Sequence, residues 1–217
     1  MGILQRQPDI QQESPVLITL SGRSIQLLSP SPADIDEGDV IDGLDRVNRF
    51  NGQLRGKFSV ASHSVLVSLL VEKLYPNSTT KDQMAALFHD APEAFLGDQI
   101  TPLKQALQAL GSGAYDLETI HNGFAAAIFA KVLLPWPPAP HTQEMIALAD
   151  ATALKMEDRA FRGGRLSSPG EVFPDVDLPS LAPGRLTMRR RYFDLLRRRV
   201  DIDLPLSTKG SGYGKSE

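Results

Sequence analysis

Helical periodicity dominates this chain of 217 residues and points to a mainly α-helical fold. Apolar residues recur at mixed three- and four-residue spacing, which is the pattern of helices that bury one face. An acid-rich run from residue 34 to residue 45 begins the first such pattern. The spacing predicts further helices over residues 60–74, 80–95, 113–133, 141–162 and 185–200. The expected fold class is therefore all-α.

A β pattern occurs near the N-terminus. Residues 16–19 and 24–28 are rich in Val, Ile and Leu, and they flank the turn sequence Ser21-Gly22-Arg23. This arrangement is typical of a small β-hairpin. Residues 1–14 are polar and are expected to be flexible, and residues 201–217 have the low apolar content of a disordered tail. One domain over residues 15–200 is expected, because this length suits a single core.

Two segments interrupt the helical pattern in the second half of the chain. Residues 135–140 contain four prolines and the single tryptophan, Trp136, and they separate two predicted helices. Residues 163–184 contain four glycines and four prolines and predict a long loop. Loops of this length are uncommon unless they are functional or mobile.

Composition restricts the chemistry that this chain can carry. Hydrophobic residues make up 41% and charged residues 23%, which is typical of a globular protein and argues against an intrinsically disordered chain. The sequence has no cysteine, which excludes disulfides, thiolate metal sites, iron–sulfur clusters and a cysteine nucleophile. Any metal ion must therefore be held by His, Asp and Glu.

The charge distribution does not favour a nucleic-acid partner. The net charge is −3, although residues 185–199 hold seven arginines and one aspartate. Only Tyr192 and Phe193 are aromatic there, so an oligomer contact or a solvated helix face is the preferred interpretation over nucleic-acid binding. No stretch approaches the roughly 18 apolar residues of a membrane span, and the N-terminus lacks the apolar run of a signal peptide. A cytoplasmic protein without a membrane partner is expected.

The most informative segment follows the apolar residues 85–88. It contains His89, Asp90, Glu93 and Asp98, a dense set of side chains that can bind metal ions. On a helix, adjacent His and Asp side chains project about 100° apart, so both could approach one ion from different sides. Glu93 lies four residues after His89 and three after Asp90, which would place its carboxylate beside the same site.

Two further residues extend this candidate metal site. His63 falls in the first turn of a helix capped by Ser59, where the helix dipole favours a neutral imidazole that can bind metal. Asp150 follows the apolar run of residues 145–149, which is expected to face inward, so its carboxylate needs a partner. Two histidines and two aspartates on apolar helices are best explained together by one divalent ion.

The order His63, His89-Asp90, Asp150 resembles the HD-domain phosphohydrolase superfamily over roughly residues 16–160. Within that superfamily, the sequence is most similar to small bacterial 5′-deoxynucleotidases and to phage deoxynucleoside triphosphate hydrolases of the dATPase type. The resemblance implies an all-α HD-domain helical bundle. It rests on three strings: Asn48-Arg49-Phe50, Ser59-Val60-Ala61-Ser62-His63-Ser64, and HDAPEAFLGDQITPLK from His89 to Lys104.

The resemblance also assigns roles to individual residues. It implies that the metal ligands are His63, His89, Asp90 and Asp150, and that the ion is Co, Mn, Zn or Mg. It implies that Glu93 and Asp98 position or deprotonate the attacking water. It further implies that Arg49 and Lys104 hold the substrate phosphate, and that Phe50 lies near the sugar. In this chain Ala147 stands where relatives commonly carry a lysine, which weakens the grip expected on a polyphosphate.

These features favour a metal-dependent phosphoric ester hydrolase that releases phosphate from deoxynucleoside monophosphates. The alternative within the same chemistry is a deoxynucleoside triphosphate triphosphohydrolase. An alternative from another class is a nucleotide-binding module with a structural metal and no turnover, although Glu93 and Asp98 argue against it. The expected partner is a small deoxynucleotide, and relatives suggest a homo-oligomer, either a dimer or a larger assembly.

Overall fold

The computed structural model describes residues 15–98, 100–111 and 114–203. It confirms an all-α fold with a small antiparallel hairpin near the N-terminus. The flexible segments expected at residues 1–14 and 201–217 lie outside the described residues, apart from residues 201–203. The elements are β1 (Val16–Ile18), β2 (Ser24–Gln26), α1 (Glu37–Arg46), α2 (Val60–Leu74), α3 (Thr80–Leu87), α4 (Glu93–Leu96), α5 (Thr101–Ala109), α6 (Ala114–Lys131), α7 (Pro140–Phe161) and α8 (Gly184–Asp203).

The hairpin is attached to α1 by one buried carboxylate. Leu17 pairs with Ile25, and the Ile25 side chain is fully buried in the core. Asp39 of α1 accepts hydrogen bonds from the Thr19 hydroxyl at 2.6 Å and from the Ser21 amide at 3.0 Å. Because two strands alone are marginally stable, these bonds and the buried Ile25 are what hold the hairpin against the helices.

Helix α2 runs through the centre of the bundle and carries His63 in its first turn. Ser59 caps it as expected, since its hydroxyl accepts a hydrogen bond from the Ser62 amide at 3.2 Å. Apolar residues lie on all sides of α2, and side chains such as Leu66, Val67 and Leu70 are fully buried. A helix of this kind must be surrounded by other helices, and α3, α7 and α8 pack around it.

The predicted continuous helix over residues 80–95 is wrong. Helix α3 ends at Leu87, a turn spans residues 88–92, and the short helix α4 begins at Glu93. Pro92 explains the break, because proline has no amide hydrogen and disfavours helical geometry in the residue before it. His89 and Asp90 therefore lie in a turn rather than on a helix face. The angle of about 100° between adjacent side chains on a helix does not apply to them.

Acidic side chains of other helices hold the arginine-rich helix α8. Arg185 and Arg189 both contact the Asp42 carboxylate of α1, at 2.7 Å and 3.3 Å. Arg191 and Arg198 contact Glu72 of α2, at 2.9 Å and 2.8 Å. These cations are thus used within the fold, as cross-links between α8 and the central helices.

The loop after α7 is ordered by contacts with that helix. Lys155 forms an ion pair with Glu171 at 2.8 Å, and the Arg159 guanidinium lies 4.5 Å from the centre of the Phe173 ring. A 3₁₀ turn at Leu178–Leu181 then buries both leucines in the core. No helix among the residues described is long and apolar enough to cross a membrane.

Candidate metal centre

Two parts of the fold bring three potential metal ligands together. His63 comes from the first turn of α2, and His89 and Asp90 come from the turn between α3 and α4. One ligand atom from each of these residues lies within 4.8 Å of the others. His63 is fully buried, and the side chains of His89 and Asp90 are 12% and 22% exposed. This His-His-Asp cluster could hold a metal ion.

The Nδ1 nitrogen of each histidine contacts a hydrogen-bond acceptor outside the cluster. Nδ1 of His63 lies 2.6 Å from Oε1 of Glu157, and Nδ1 of His89 lies 2.8 Å from the carbonyl oxygen of Ala86. A carboxylate and a carbonyl oxygen can only accept, so each Nδ1 carries a proton and Nε2 is the nitrogen left to bind a metal ion. Histidines that bind metal are commonly oriented in this way.

The two Nε2 atoms converge on the same carboxylate. The distance from Oδ2 of Asp90 to Nε2 is 3.4 Å for His63 and 3.2 Å for His89. Both Nε2 atoms are buried and neither forms a hydrogen bond within the described part of the chain. Imidazole nitrogens this close to a carboxylate need a proton or a metal ion between the nitrogen and the oxygen. Nitrogen and carboxylate donors suit a borderline divalent ion, so this cluster fits such an ion.

The electrostatic balance around His63 also favours a cation. Burial and the Arg49 guanidinium act to lower the pKa of His63, but the carboxylates of Glu157, Asp150 and Asp90 raise it well above its ordinary value. Three carboxylates around one imidazole, with a single arginine, leave an excess of negative charge. A divalent ion between the Nε2 atoms would satisfy that excess in place of a proton.

Asp150 lies next to the cluster, at its solvent side. Its Oδ1 is 3.1 Å from Nε2 of His63, but it is not in the group whose ligand atoms all lie within 4.8 Å of one another. The side chain of Asp150 is 46% exposed. The expectation that residues 145–149 face inward is correct for Ala149 and wrong for Ala147 and Leu148, which are both exposed. Asp150 was expected to need a partner, and the structure places His63 in that position.

Glu157 is closer to the centre of the site than the sequence alone indicates. From the sequence alone, a supporting role at the site is possible for Glu157, but a pairing with Arg159 or Arg162 is the preferred interpretation. Instead its side chain is fully buried and binds Nδ1 of His63 and Nε of Arg49, the latter at 3.2 Å. The available signal was its position seven residues after Asp150, which puts both on one face of α7.

Replacing Glu157 by glutamine should weaken metal binding by roughly 10- to 100-fold, the usual effect of changing a residue that orients a metal-binding histidine. A neutral amide holds the Nδ1 proton of His63 less strongly and leaves Arg49 without its buried counter-charge. Calorimetric titration of the metal-free chain with Mn²⁺ would measure the change. Glu171→Gln, which changes a carboxylate that binds Lys155 and the Ser168 amide away from the cluster, is the matched control. An unchanged affinity with a lower melting temperature would limit Glu157 to a structural role.

Arg49 lies between two carboxylates of the site. Its Nε is 3.2 Å from Oε2 of Glu157, and its Nη1 is 3.8 Å from Oδ2 of Asp90. Burial acts to lower its pKa, but these carboxylates raise it, so Arg49 keeps its charge. Asp45, the nearest acid before Arg49 in the sequence, is not its partner; Asp45 accepts a hydrogen bond from the Arg185 amide at 3.0 Å.

The turn after Arg49 connects the arginine to Asp98. Phe50 and Asn51 have φ angles of 55° and 50°, in the left-handed region that residues other than glycine seldom adopt. The Asn51 amide donates a hydrogen bond to Oδ2 of Asp98 at 3.3 Å. Strained backbone of this kind is often retained at functional sites. Here it brings the backbone two residues after Arg49 into contact with Asp98.

Glu93 is a buried acid beside the cluster. Only 5% of the residue is exposed. Burial, together with the negative charges of Asp90 and Asp98, raises the pKa of Glu93 to about 8. A carboxyl group with a pKa near the working pH is suited to exchange protons with a reacting water.

Phe50 and Lys104 lie farther out. The Phe50 ring is half-buried, and the Arg162 guanidinium lies over it at 4.5 Å from its centre. Lys104 is exposed on α5, where it lines a cavity of about 460 Å³ with His121 and Asn122 of α6. The structure therefore brings Arg49, Glu93 and Asp98 to the cluster, and it places Lys104 at the rim of a neighbouring cavity.

Comparisons with known proteins give relatives but no function. The chain is 38% identical over 175 residues to the uncharacterized protein RCAP_rcc00048 of Rhodobacter capsulatus, covering 79% of this chain and 85% of the relative. It is 31% identical over 141 residues to the uncharacterized protein YfdR of Escherichia coli K12, covering 65% of this chain and 69% of the relative. No family model matches the sequence. The helical bundle with its His-His-Asp cluster fits an HD-like fold, and the chain belongs to the same protein family as these two bacterial proteins.

Proposed function

We propose that the protein is a metal-dependent phosphohydrolase that releases phosphate from deoxynucleoside monophosphates. The observation that carries this proposal is the convergence of two buried Nε2 atoms on Asp90, with both Nδ1 atoms already held by acceptors. Arg49 and Glu93 beside the cluster supply a phosphate-binding cation and a proton-transfer group. The resemblance of residues 16–160 to bacterial 5′-deoxynucleotidases supports the same substrate class.

In the proposed reaction, each residue around the cluster has a separate role in phosphoester hydrolysis. A divalent ion held by His63, His89 and Asp90 would lower the pKa of a bound water and orient the phosphate. Such an ion would also lower the pKa of Glu93, which would then accept a proton from the attacking water, while Asp98 would help to orient that water. Arg49 holds two phosphoryl oxygens through its planar guanidinium. Glu157 keeps both Arg49 and His63 in position.

The distribution of cations supports a monophosphate substrate over a triphosphate. Arg49 is the cation that contacts the cluster in the described part of the chain. Four of the seven arginines of α8 pair with Asp42 or Glu72 within the fold, namely Arg185, Arg189, Arg191 and Arg198. Ala147 lines the same cavity as Asp150 and has no charge with which to bind a phosphate group. Each further phosphate group would need further cationic partners at the cluster, and Lys104 lines the neighbouring cavity instead.

A substrate panel tests the proposal directly. Purified full-length chain loaded with Mn²⁺, Co²⁺, Zn²⁺ or Mg²⁺ is incubated with deoxynucleoside and ribonucleoside mono-, di- and triphosphates. Release of inorganic phosphate from deoxynucleoside monophosphates is the expected result. Release of triphosphate would instead identify a triphosphohydrolase. Binding without any product would identify a nucleotide-binding module and contradict the proposal.

Arg49→Lys should lower kcat/KM by about 2 kcal/mol of transition-state stabilisation, within the range of a charge-assisted hydrogen bond. Lysine keeps the charge that Glu157 requires but loses the planar fork that matches two phosphoryl oxygens. Steady-state kinetics and metal content would measure the effect, with Arg46→Lys on the exposed end of α1 as the control. Unchanged kinetics with a lowered melting temperature would remove Arg49 from the substrate site.

A further inference from the structure

A second cavity opens directly onto the metal centre. It has a volume of about 380 Å³, and His89 and Asp150 form one end of it. This size lies within the roughly 300–1,000 Å³ of typical small-molecule sites. We call it the Trp136 cavity; its other walls are formed mainly by Phe129, Trp136, Pro137, Pro138, Ile146 and Ala147.

The walls of the Trp136 cavity are apolar and aromatic. The Trp136 ring packs edge-on against the buried Phe129 ring, with centroids 4.8 Å apart and planes at 64°. Packing against Phe129 holds the indole, which is half-buried and lines the cavity. A fixed aromatic ring offers a stacking surface for a nucleobase of any identity.

Two amide side chains at the rim add hydrogen-bonding groups. Gln143 donates a hydrogen bond from Nε2 to the Pro138 carbonyl at 2.6 Å, which fixes the orientation of its amide. Asn122 is exposed and lines both this cavity and the neighbouring cavity that contains Lys104. A neutral apolar wall with a few amides suits a nucleobase, whereas a phosphate chain would require cations.

We infer that the Trp136 cavity binds the base of the nucleotide, stacked against Trp136, while the phosphate lies at the metal centre. This inference rests on the proposed function for the identity of the ligand. The polar end at His89 and Asp150 and the aromatic end at Trp136 correspond to the two ends of a nucleotide. The small side chain of Ala147 keeps this space open, because a longer side chain at that position would fill part of the cavity.

The single tryptophan of the chain gives a direct readout. Trp136 fluorescence is measured in the full-length chain, with excitation at the red edge where nucleotides do not absorb. A deoxynucleoside and its 5′-monophosphate should both quench it, whereas deoxyribose 5-phosphate and inorganic phosphate should not. A deoxynucleoside that leaves the fluorescence unchanged while its monophosphate is hydrolysed would overturn the inference and leave the proposed function standing.

Ala147→Leu tests the same cavity by filling it. It should abolish the quenching and raise KM for a deoxynucleoside monophosphate about 10-fold or more, the effect of losing one stacked base. Metal content should be unchanged, and Ala160→Leu at the exposed end of α7 is the control. An unchanged KM would overturn the inference. Quenching that Ala147→Leu abolishes, in a chain that hydrolyses no nucleotide, would support the base site and contradict the proposed function.

Discussion

Replacing Asp90 by asparagine, or His89 by alanine, is expected to remove the bound ion and to slow hydrolysis by at least ~100-fold, since even changes around a metal ligand commonly have effects of this size. Oδ2 of Asp90 is the atom on which both histidine Nε2 atoms converge. A neutral amide cannot supply the negative charge that balances the ion. His89→Ala removes one of the two nitrogen donors.

Elemental analysis of the purified variants, together with phosphate-release kinetics, measures both effects. Asp175→Asn is the matched control, because Asp175 is exposed on the loop after α7. Melting temperatures show whether the variants remain folded. A variant of Asp90 with full metal occupancy and an undiminished rate would contradict the assignment of the cluster as a metal centre.

Glu93→Ala is expected to keep the metal and to slow hydrolysis by about 10²–10⁴-fold, the usual contribution of general acid–base catalysis. The pKa of Glu93, raised to about 8 by burial and by Asp90 and Asp98, means that its carboxyl group retains a proton at neutral pH when no ion is bound. A bound cation would lower that pKa and leave the carboxylate able to accept a proton.

Metal content and kcat measured on the same preparation separate the two possible roles of Glu93. Retained metal with a low kcat supports proton transfer, whereas loss of metal would make Glu93 a ligand. Glu144→Ala, at an exposed position of α7, controls for the loss of a carboxylate. Normal turnover in Glu93→Ala would place the proton acceptor elsewhere, with Asp98 as the next candidate.

Local sequence signals predicted most of the bundle. Ser59 followed by an apolar run identified the start of α2, and the turn at Ser21-Gly22-Arg23 identified the hairpin, because caps and turns depend on residues a few positions apart. The same reasoning failed at residues 80–95, where the apolar pattern continues across Pro92 although the helix does not. The apolar pattern reflects which residues are buried. Residues 84–87 before the end of α3 and residues 88 and 91 after it are all buried.

At the candidate site too, contacts between residues that are distant in the sequence could not be predicted from local patterns. The amino-acid sequence alone was enough to predict the all-α class, to exclude thiolate ligands and to select His63, His89 and Asp90 as candidates. The packing of the helices was needed to show that Glu157 contacts His63, across 94 residues of sequence. The same packing pairs Arg49 with the Glu157 carboxylate and four of the α8 arginines with Asp42 or Glu72. Such pairings depend on how α7 and α8 pack against α2, and no periodicity within one helix specifies which distant charge it will meet.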